Sequence, residues 1–195
     1  MLRDEFYSVA PITLSPDVRE VLLLFGGTDP NDLSARCLGW LDSLPGDWAI
    51  TLVTGLGVSN PERFDAMAAQ SRHPVEIVSN TSIVSRYMAR ADLAITSAGR
   101  TVFELASLGV PTVVIPQNDR ECRHAFALES PGVVPLPRAS ELDALEFFEA
   151  VTTLLESEAE RRARHEDLLA ADIRGGIERT LGILRRALEL SGDRR

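Results

Sequence analysis

Short solid runs of apolar residues alternate along this chain with longer stretches in which apolar positions recur every three or four residues. Val21-Leu22-Leu23-Leu24-Phe25 is the plainest run, and Gly26-Gly27 closes it. A strand covered on both faces reads this way, because neither side calls for a polar residue. Similar runs over 48–54, 75–78, 92–96, 111–115 and, more weakly, 133–136 predict five further strands. Helical spacing predicts helices over 32–44, 61–70, 82–90, 101–108 and 121–128. Pro61 suits a first helical turn, and Gly109 followed by Pro111 suits a helix stop.

Strands alternating with helices imply βαβ units and a parallel sheet covered on both faces. With right-handed crossovers, about six strands give an α/β, Rossmann-like doubly wound sheet, for which the order 3-2-1-4-5-6 is expected. Residues 1–17, broken by Pro11 and Pro16 and without periodicity, read as a linker-like segment. The domain is expected over 18–190 and a short tail over 191–195. After the last strand, Leu142, Leu145, Phe148, Val151, Leu154 and Leu155 form one amphipathic stripe, and Ile177, Leu181, Leu184 and Leu188 another. Packing onto the chain's own sheet is the expectation for both, and a docking surface for a partner is the alternative.

Charge narrows the function classes. The 195 residues carry a formal net charge of −9, and every basic side chain among the 20 is Arg. A nucleic-acid surface needs a basic patch, so that class is disfavoured. A single nucleotide diphosphate remains open, because backbone amides and one Arg can hold it. The absence of Lys removes Schiff-base and Walker-lysine chemistry. No apolar run approaches the roughly 18–20 residues of a membrane helix, and the first residues lack the apolar core of a signal peptide. Cys37 and Cys122 make neither a metal spacing nor a disulfide framework, and read as reduced structural thiols of a cytoplasmic protein.

In an open α/β sheet, ligands bind beyond the carboxyl ends of the strands, so the loops there are the places for chemistry. The first is Gly26-Gly27-Thr28-Asp29-Pro30-Asn31-Asp32, where paired glycines permit close backbone approach and Asp29, Asn31 or Asp32 can cap the next helix. The fourth is sharper. Ser97-Ala98-Gly99-Arg100-Thr101 follows a buried strand and opens a helix, so free N–H groups face the place where a phosphate is stabilised. Ser97 and Thr101 add hydroxyls and Arg100 adds charge. Glu104, one turn on, can accept both hydroxyls of a ribose, or can be a surface residue favouring the helix N-terminus. Gln117 and Asn118 in the fifth loop suit sugar hydroxyls or an ordinary turn. The third loop, around Val78 and Asn80, offers backbone to a base edge. His73 falls in a turn, and His165 in the charged run 158–167 read as a solvated face. His124 follows the fifth loop, where a structural role is the expectation and approach to a ligand the alternative. No catalytic residue, metal site or cofactor is assigned.

These residues carry a resemblance. Gly26-Gly27-Thr28-Asp29-Pro30, Ala91-Asp92-Leu93, Ser97-Ala98-Gly99, the run Glu104 to Pro111, and Pro116-Gln117 resemble the C-terminal domain of GT-B nucleotide-sugar enzymes. The chain looks most like the UDP-sugar hydrolase of the pseudaminic acid pathway and its spore-coat polysaccharide relatives. It is more distantly similar to the enzyme adding N-acetylglucosamine to lipid I. Leu2-Arg3-Asp4-Glu5-Phe6 looks like the interdomain linker of those relatives, and Asp172-Ile173-Arg174-Gly175-Gly176 with Arg179 resembles a late motif of the hydrolase group.

By resemblance, the Gly26-Gly27 loop (with Thr28 and Asp29) and Ser97 to Thr101 hold a diphosphate. Glu104 holds the ribose, Val78 to Asn80 the uracil, and Gln117 with Asn118 the sugar. The ligand implied is UDP or a UDP-sugar. The acceptor site, and the hydrolase's key histidine, belong to an N-terminal domain that nothing in this sequence matches. Three readings follow: the donor-binding half of such an enzyme, a nucleotide-binding subunit that docks onto a separate acceptor-binding partner or onto itself, and a dinucleotide-binding oxidoreductase domain. The last lacks the G-x-G-x-x-G fingerprint.

Overall fold

The six apolar runs form six strands, β1 (Glu20–Leu24), β2 (Ala49–Thr54), β3 (Val75–Ser79), β4 (Leu93–Thr96), β5 (Thr112–Val114) and β6 (Val133–Pro135), in a computed structural model that describes residues 2–192 and side chains through position 189. All adjacent pairs are parallel, in the order β3-β2-β1-β4-β5-β6. This is the order expected for the doubly wound Rossmann-like sheet that the alternation predicts.

The pleat explains the solid run. Successive side chains of a strand point to opposite faces. Val21 and Leu23 enter the core built with Leu33, Leu41, Phe64, Phe147 and Val151. Leu22 and Leu24 enter the opposite one, with Phe6, Met88, Leu105 and Leu108. Helices α2 (Leu33–Ser43), α3 (Arg63–Gln70) and α7 (Ala144–Glu156) serve the first face. Helices α1 (Glu5–Ser8), α4 (Ser85–Met88) and α5 (Thr101–Leu108) serve the second. The chain is completed by α6 (Ala125–Glu129), α8 (Glu158–Ala170) and α9 (Gly176–Gly192).

Several expectations need correction. The helix predicted over 121–128 is two pieces, a 3-10 turn Glu121–Arg123 and then α6. His124 breaks it, because its ring Nδ1 accepts the Ala127 amide and caps the second piece. The helix predicted over 82–90 shrinks to the single turn of α4, with the Ile83 amide on Thr81 Oγ1 ahead of it and the Arg90 amide on the Tyr87 carbonyl, three residues back, behind it. Segment 1–17 is fastened to the domain: Leu2 and Phe6 are buried, and the Ile12 amide bonds the Leu108 carbonyl at 2.9 Å. The charged run 158–167 is not wholly solvated. Arg161 is buried, with its guanidinium on the carbonyls of Leu154 (2.8 Å), Leu155 (3.2 Å), Ser15 (3.4 Å) and Pro16. Cys37 is buried as a structural thiol should be, whereas Cys122 is exposed.

The two amphipathic stripes part company. In α7, Phe147, Val151 and Leu154 pack on the sheet, while Leu145 faces outward. In α9, Ile177, Leu181, Leu184 and Leu188 all remain exposed. By that point in the chain both sheet faces are covered, so α9 has no apolar surface of the sheet left to meet. The tail expected at 191–195 begins inside α9, and 193–195 lie outside the described residues.

Candidate functional site

Strand order puts the switch point between β1 and β4, because the chain winds one way from β1 to β3 and the other from β4 to β6. The loops leaving those two strands therefore diverge and open a crevice. A cavity of about 440 Å³ lies there. It is lined by Gly26, Gly27, Thr28, Ser97, Gly99, Arg100, Thr101, Glu104, Gln117 and Asn118. An adjoining lobe of about 270 Å³ shares Gly26, Gly27 and Thr101 and adds Asn80. Of the residues singled out in the sequence, Asp29 and Val78 line neither. Val78 is a core residue of β3. Asp29 turns inward, and its carboxylate accepts the Leu33 and Ser34 amides at 2.9 and 2.8 Å, capping α2.

The floor of the cavity is backbone. Gly26 sits at φ +80°, where a side chain is strained, and nothing lies within 4 Å of a Cβ built on Gly26 or Gly27. Their open side is available to a ligand. On the facing wall, no side chain caps α5. The Gly99 amide turns back to Ser97 O (2.8 Å), and among the described residues the Arg100 and Thr101 amides have no acceptor. Free N–H groups at a helix start carry partial positive charge and suit an anion. Among the described residues, the Ser97 and Thr101 hydroxyls have no hydrogen-bond partner and Arg100, exposed at the rim, has no carboxylate partner.

Glu104 supplies the one buried charge on this wall. It is 8% exposed, and its two oxygens accept from Arg3 Nε at 2.8 Å and Nη2 at 3.0 Å. The hydrogen bond to Glu104 raises the Arg3 pKa above its ordinary value against the desolvation that lowers it. The alternative reading of Glu104 as a surface residue is thus incorrect.

Gln117 and Asn118 are more committed than the sequence suggested. Gln117 Nε2 donates to the Phe25 carbonyl at 3.1 Å, and Asn31 Nδ2 donates to Gln117 O at the same distance. Asn118 Oδ1 accepts the Arg120 and Glu121 amides. Glu121 closes the loop by accepting the Gln117 amide (2.8 Å) and Asn118 Nδ2 (3.2 Å). These residues shape the wall and offer a ligand only their remaining hydrogen-bonding capacity.

Arg3, Glu121 and Gly55 were missed by the sequence reading. Gly55 and Gly57 follow β2 as Gly26 and Gly27 follow β1, a glycine pair after a buried strand, so that signal was legible. Gly57 N donates to Gly27 O at 2.9 Å, locking the second loop to the first. Arg3 lies 101 positions from its partner and left no local signal. A separate, apolar-walled cavity of about 470 Å³ sits under α9, between Leu2, Tyr7, Phe103 and Ile173. Its one lining guanidinium, Arg179, is taken by the Asp172 carboxylate. Among the described residues no group of three or more His, Cys, Asp and Glu is placed to hold a metal, and no helix is long and apolar enough to cross a membrane.

The glycosyltransferase family 28 C-terminal domain matches residues 21–178. The chain belongs to that family. The chain is 28% identical over 159 residues to a UDP-N-acetylglucosamine–N-acetylmuramyl-(pentapeptide) pyrophosphoryl-undecaprenol N-acetylglucosamine transferase of Solibacter usitatus, covering 78% of this chain and 44% of that protein. It is 26% identical over 121 residues to the spore coat polysaccharide biosynthesis protein SpsG of Bacillus subtilis, covering 62% of this chain and 36% of that one. The family 28 chain thus spans under half the length of these relatives. Among solved structures, MurG of Acinetobacter baumannii superposes with a TM-score of 0.63 at 20% identity, over 85% of this chain and 46% of that one. HepE of Anabaena, solved in complex with UDP and glucose, superposes with a TM-score of 0.61 at 14% identity, over 84% and 48%. The fold is therefore that of one half of a GT-B protein, as the motif resemblance implied.

Proposed function

We propose that this domain binds a nucleotide diphosphate-sugar, a UDP-sugar by preference, as the donor half of a GT-B-type hydrolase or glycosyltransferase of cell-surface polysaccharide synthesis in the cytoplasm. The observation that carries the reading is the convergence at the switch point of three things: open-faced Gly26 and Gly27, the start of α5 with its amides beside Arg100, and the buried carboxylate of Glu104. The first two suit a diphosphate and the third a ribose diol. The names of the relatives point to UDP and to polysaccharide, and the unpaired thiols suit a reducing compartment.

The chemistry follows from where charge develops. Breaking the bond between an anomeric carbon and a diphosphate leaves negative charge on the departing nucleotide. On this reading the α5 amides and Arg100 meet that charge as it forms, so they lower the barrier with little reorganisation. Glu104 and Glu121 are both committed to hydrogen bonds, and we assign neither as a general base. The group that activates the acceptor or water belongs to a second domain or subunit.

Calorimetric titration with UDP, CMP, dTDP, GDP and NAD tests this. The expected result is selective UDP binding, weakened about tenfold or more in Glu104→Ala and Arg100→Ala, in line with about 1.5–3 kcal/mol for a charged hydrogen bond. NAD binding in preference to UDP, or UDP binding indifferent to both substitutions, would contradict it.

A second reading is favoured by one observation. The exposed apolar side chains of α9, including Leu181, Ile183 and Leu184, form a surface suited to a partner. On this reading the chain is a nucleotide-binding subunit that docks onto an acceptor-binding partner, or pairs with a second copy. Light scattering of the purified chain across concentration separates self-association from a monomer that awaits another protein.

A further inference from the structure

The guanidinium of Arg3 holds the carboxylate that the proposed reading gives to the ribose. Its Nε and Nη2 form a side-on fork on the two Glu104 oxygens, at 2.8 and 3.0 Å. A guanidinium fork and a vicinal diol present a carboxylate with the same pattern: two neighbouring donors, one for each oxygen. Glu104 has room for only one such visitor. It projects from α5 with 11% of its side chain exposed, and Arg3 lines the same crevice. The lone pairs that Arg3 leaves free point away from each other, so a diol cannot bridge them.

We propose that Arg3 is a displaceable latch: it occupies the ribose's place on Glu104 and swings to Glu5 when a nucleoside diphosphate binds. The proposal rests on the reading of Glu104 as the ribose partner. Three features make the exchange workable. The Arg3 side chain is 46% exposed, and an ion pair so open to water is weak and screened. The third nitrogen, Nη1, already lies 3.2 Å from Glu5 Oε1, so the displaced cation has a carboxylate to move to. Glu5 is itself held, through its other oxygen on the Ser85 amide and through its neighbour Phe6 in the core, so only the Arg3 side chain has to move. The consequence is that nucleotide affinity depends on the first residues of the chain as well as on the crevice.

The test titrates the 195-residue chain and its Arg3→Gln and Glu104→Gln variants with UDP and with 2′,3′-dideoxy-UDP, which keeps the diphosphate and lacks the diol. The latch predicts that Arg3→Gln binds UDP about two- to fivefold more tightly, binds the dideoxy nucleotide as before, and loses its advantage as salt rises. Glu104→Gln weakens UDP and spares the dideoxy nucleotide. If Arg3→Gln weakens both nucleotides alike, Arg3 attracts the diphosphate and the latch is wrong. If it changes neither while Glu104→Gln weakens UDP, the latch falls and the ribose reading stands. If Glu104→Gln has no effect, or no variant binds UDP, the ribose reading falls and takes the latch with it.

Discussion

Gly55 presses against Gly27: a Cβ built at position 55 would lie 2.5 Å from the Gly27 Cα and 2.6 Å from its carbonyl oxygen. Both partners in that contact are backbone, so neither can rotate aside. Gly55→Ala must therefore push the first loop outward or strain the second, at a cost of about 1–3 kcal/mol. The expected outcome is a folded protein whose UDP affinity falls about tenfold, because the displaced segment is the floor of the crevice. Calorimetry beside circular dichroism checks this, and unchanged affinity would show that the first loop does not touch the ligand.

Asp29 should matter for stability and not for the ligand. Its carboxylate takes two amides of α2, at 2.9 and 2.8 Å, and lies outside the crevice. Asp29→Ala is expected to cost about 1–2 kcal/mol, lowering Tm by about 2–8 °C, with little change in UDP affinity. A large loss of affinity at unchanged Tm would return Asp29 to the binding site.

Arg161 fastens α8 to the end of α7 and to residues 15–16 through four carbonyls. Burial pulls its pKa below the ordinary value, the mark of a desolvated cation held by dipoles. Arg161→Ala leaves those carbonyls without their donor and is expected to cost about 3 kcal/mol or more, read as a lower urea midpoint. A midpoint within error of the wild type would mean that water replaces the guanidinium freely.

The two thiols should separate cleanly. Cys37 is fully buried, and burial pushes its thiol well above the ordinary range, so it offers little thiolate. Cys122 is exposed. A thiol-labelling reagent is expected to modify Cys122 promptly in the native protein and Cys37 only in denaturant. Prompt loss of both thiols in native buffer would mean that the core around α2 opens readily.

The α9 stripe gives the opposite signature. Leu184 is 55% exposed and Leu181 38% exposed, so a Leu181→Glu/Leu184→Glu pair is expected to leave UDP affinity intact and Tm nearly so, within about 0.5 kcal/mol per site. Self-association or binding of a hydrophobic dye should fall. A large drop in Tm would instead mean that α9 packs against its own domain.

Most of the architecture was legible because it rests on patterns with a physical period. Val21 to Leu24 announce a two-faced strand, and the alternation of such runs with helical spacing leads to a doubly wound parallel sheet, whose strand order the alternation leaves unfixed. The crevice was legible for the same reason. Ser97 to Thr101 follow a buried strand directly, and the switch point brings them opposite Gly26 and Gly27. Failures occurred where a single side chain overrides the period. His124 caps a helix in the middle of an apparently continuous one, and Arg161 sits buried inside a run of charges. The Arg3 fork on Glu104 depends on a contact across 101 positions, which no local pattern encodes. The fate of the α9 stripe depended on whether sheet surface was still available, which is a property of the whole packing.

Amide chemical-shift mapping with UDP tests the central claim most directly. The account predicts that the largest shifts fall on Gly26, Gly27 and the Gly99-Arg100-Thr101 start of α5, with Glu104 following. Shifts concentrated at Phe103, Ile173 and Ile177, around the apolar cavity under α9, or no shifts at any concentration of UDP, would contradict it.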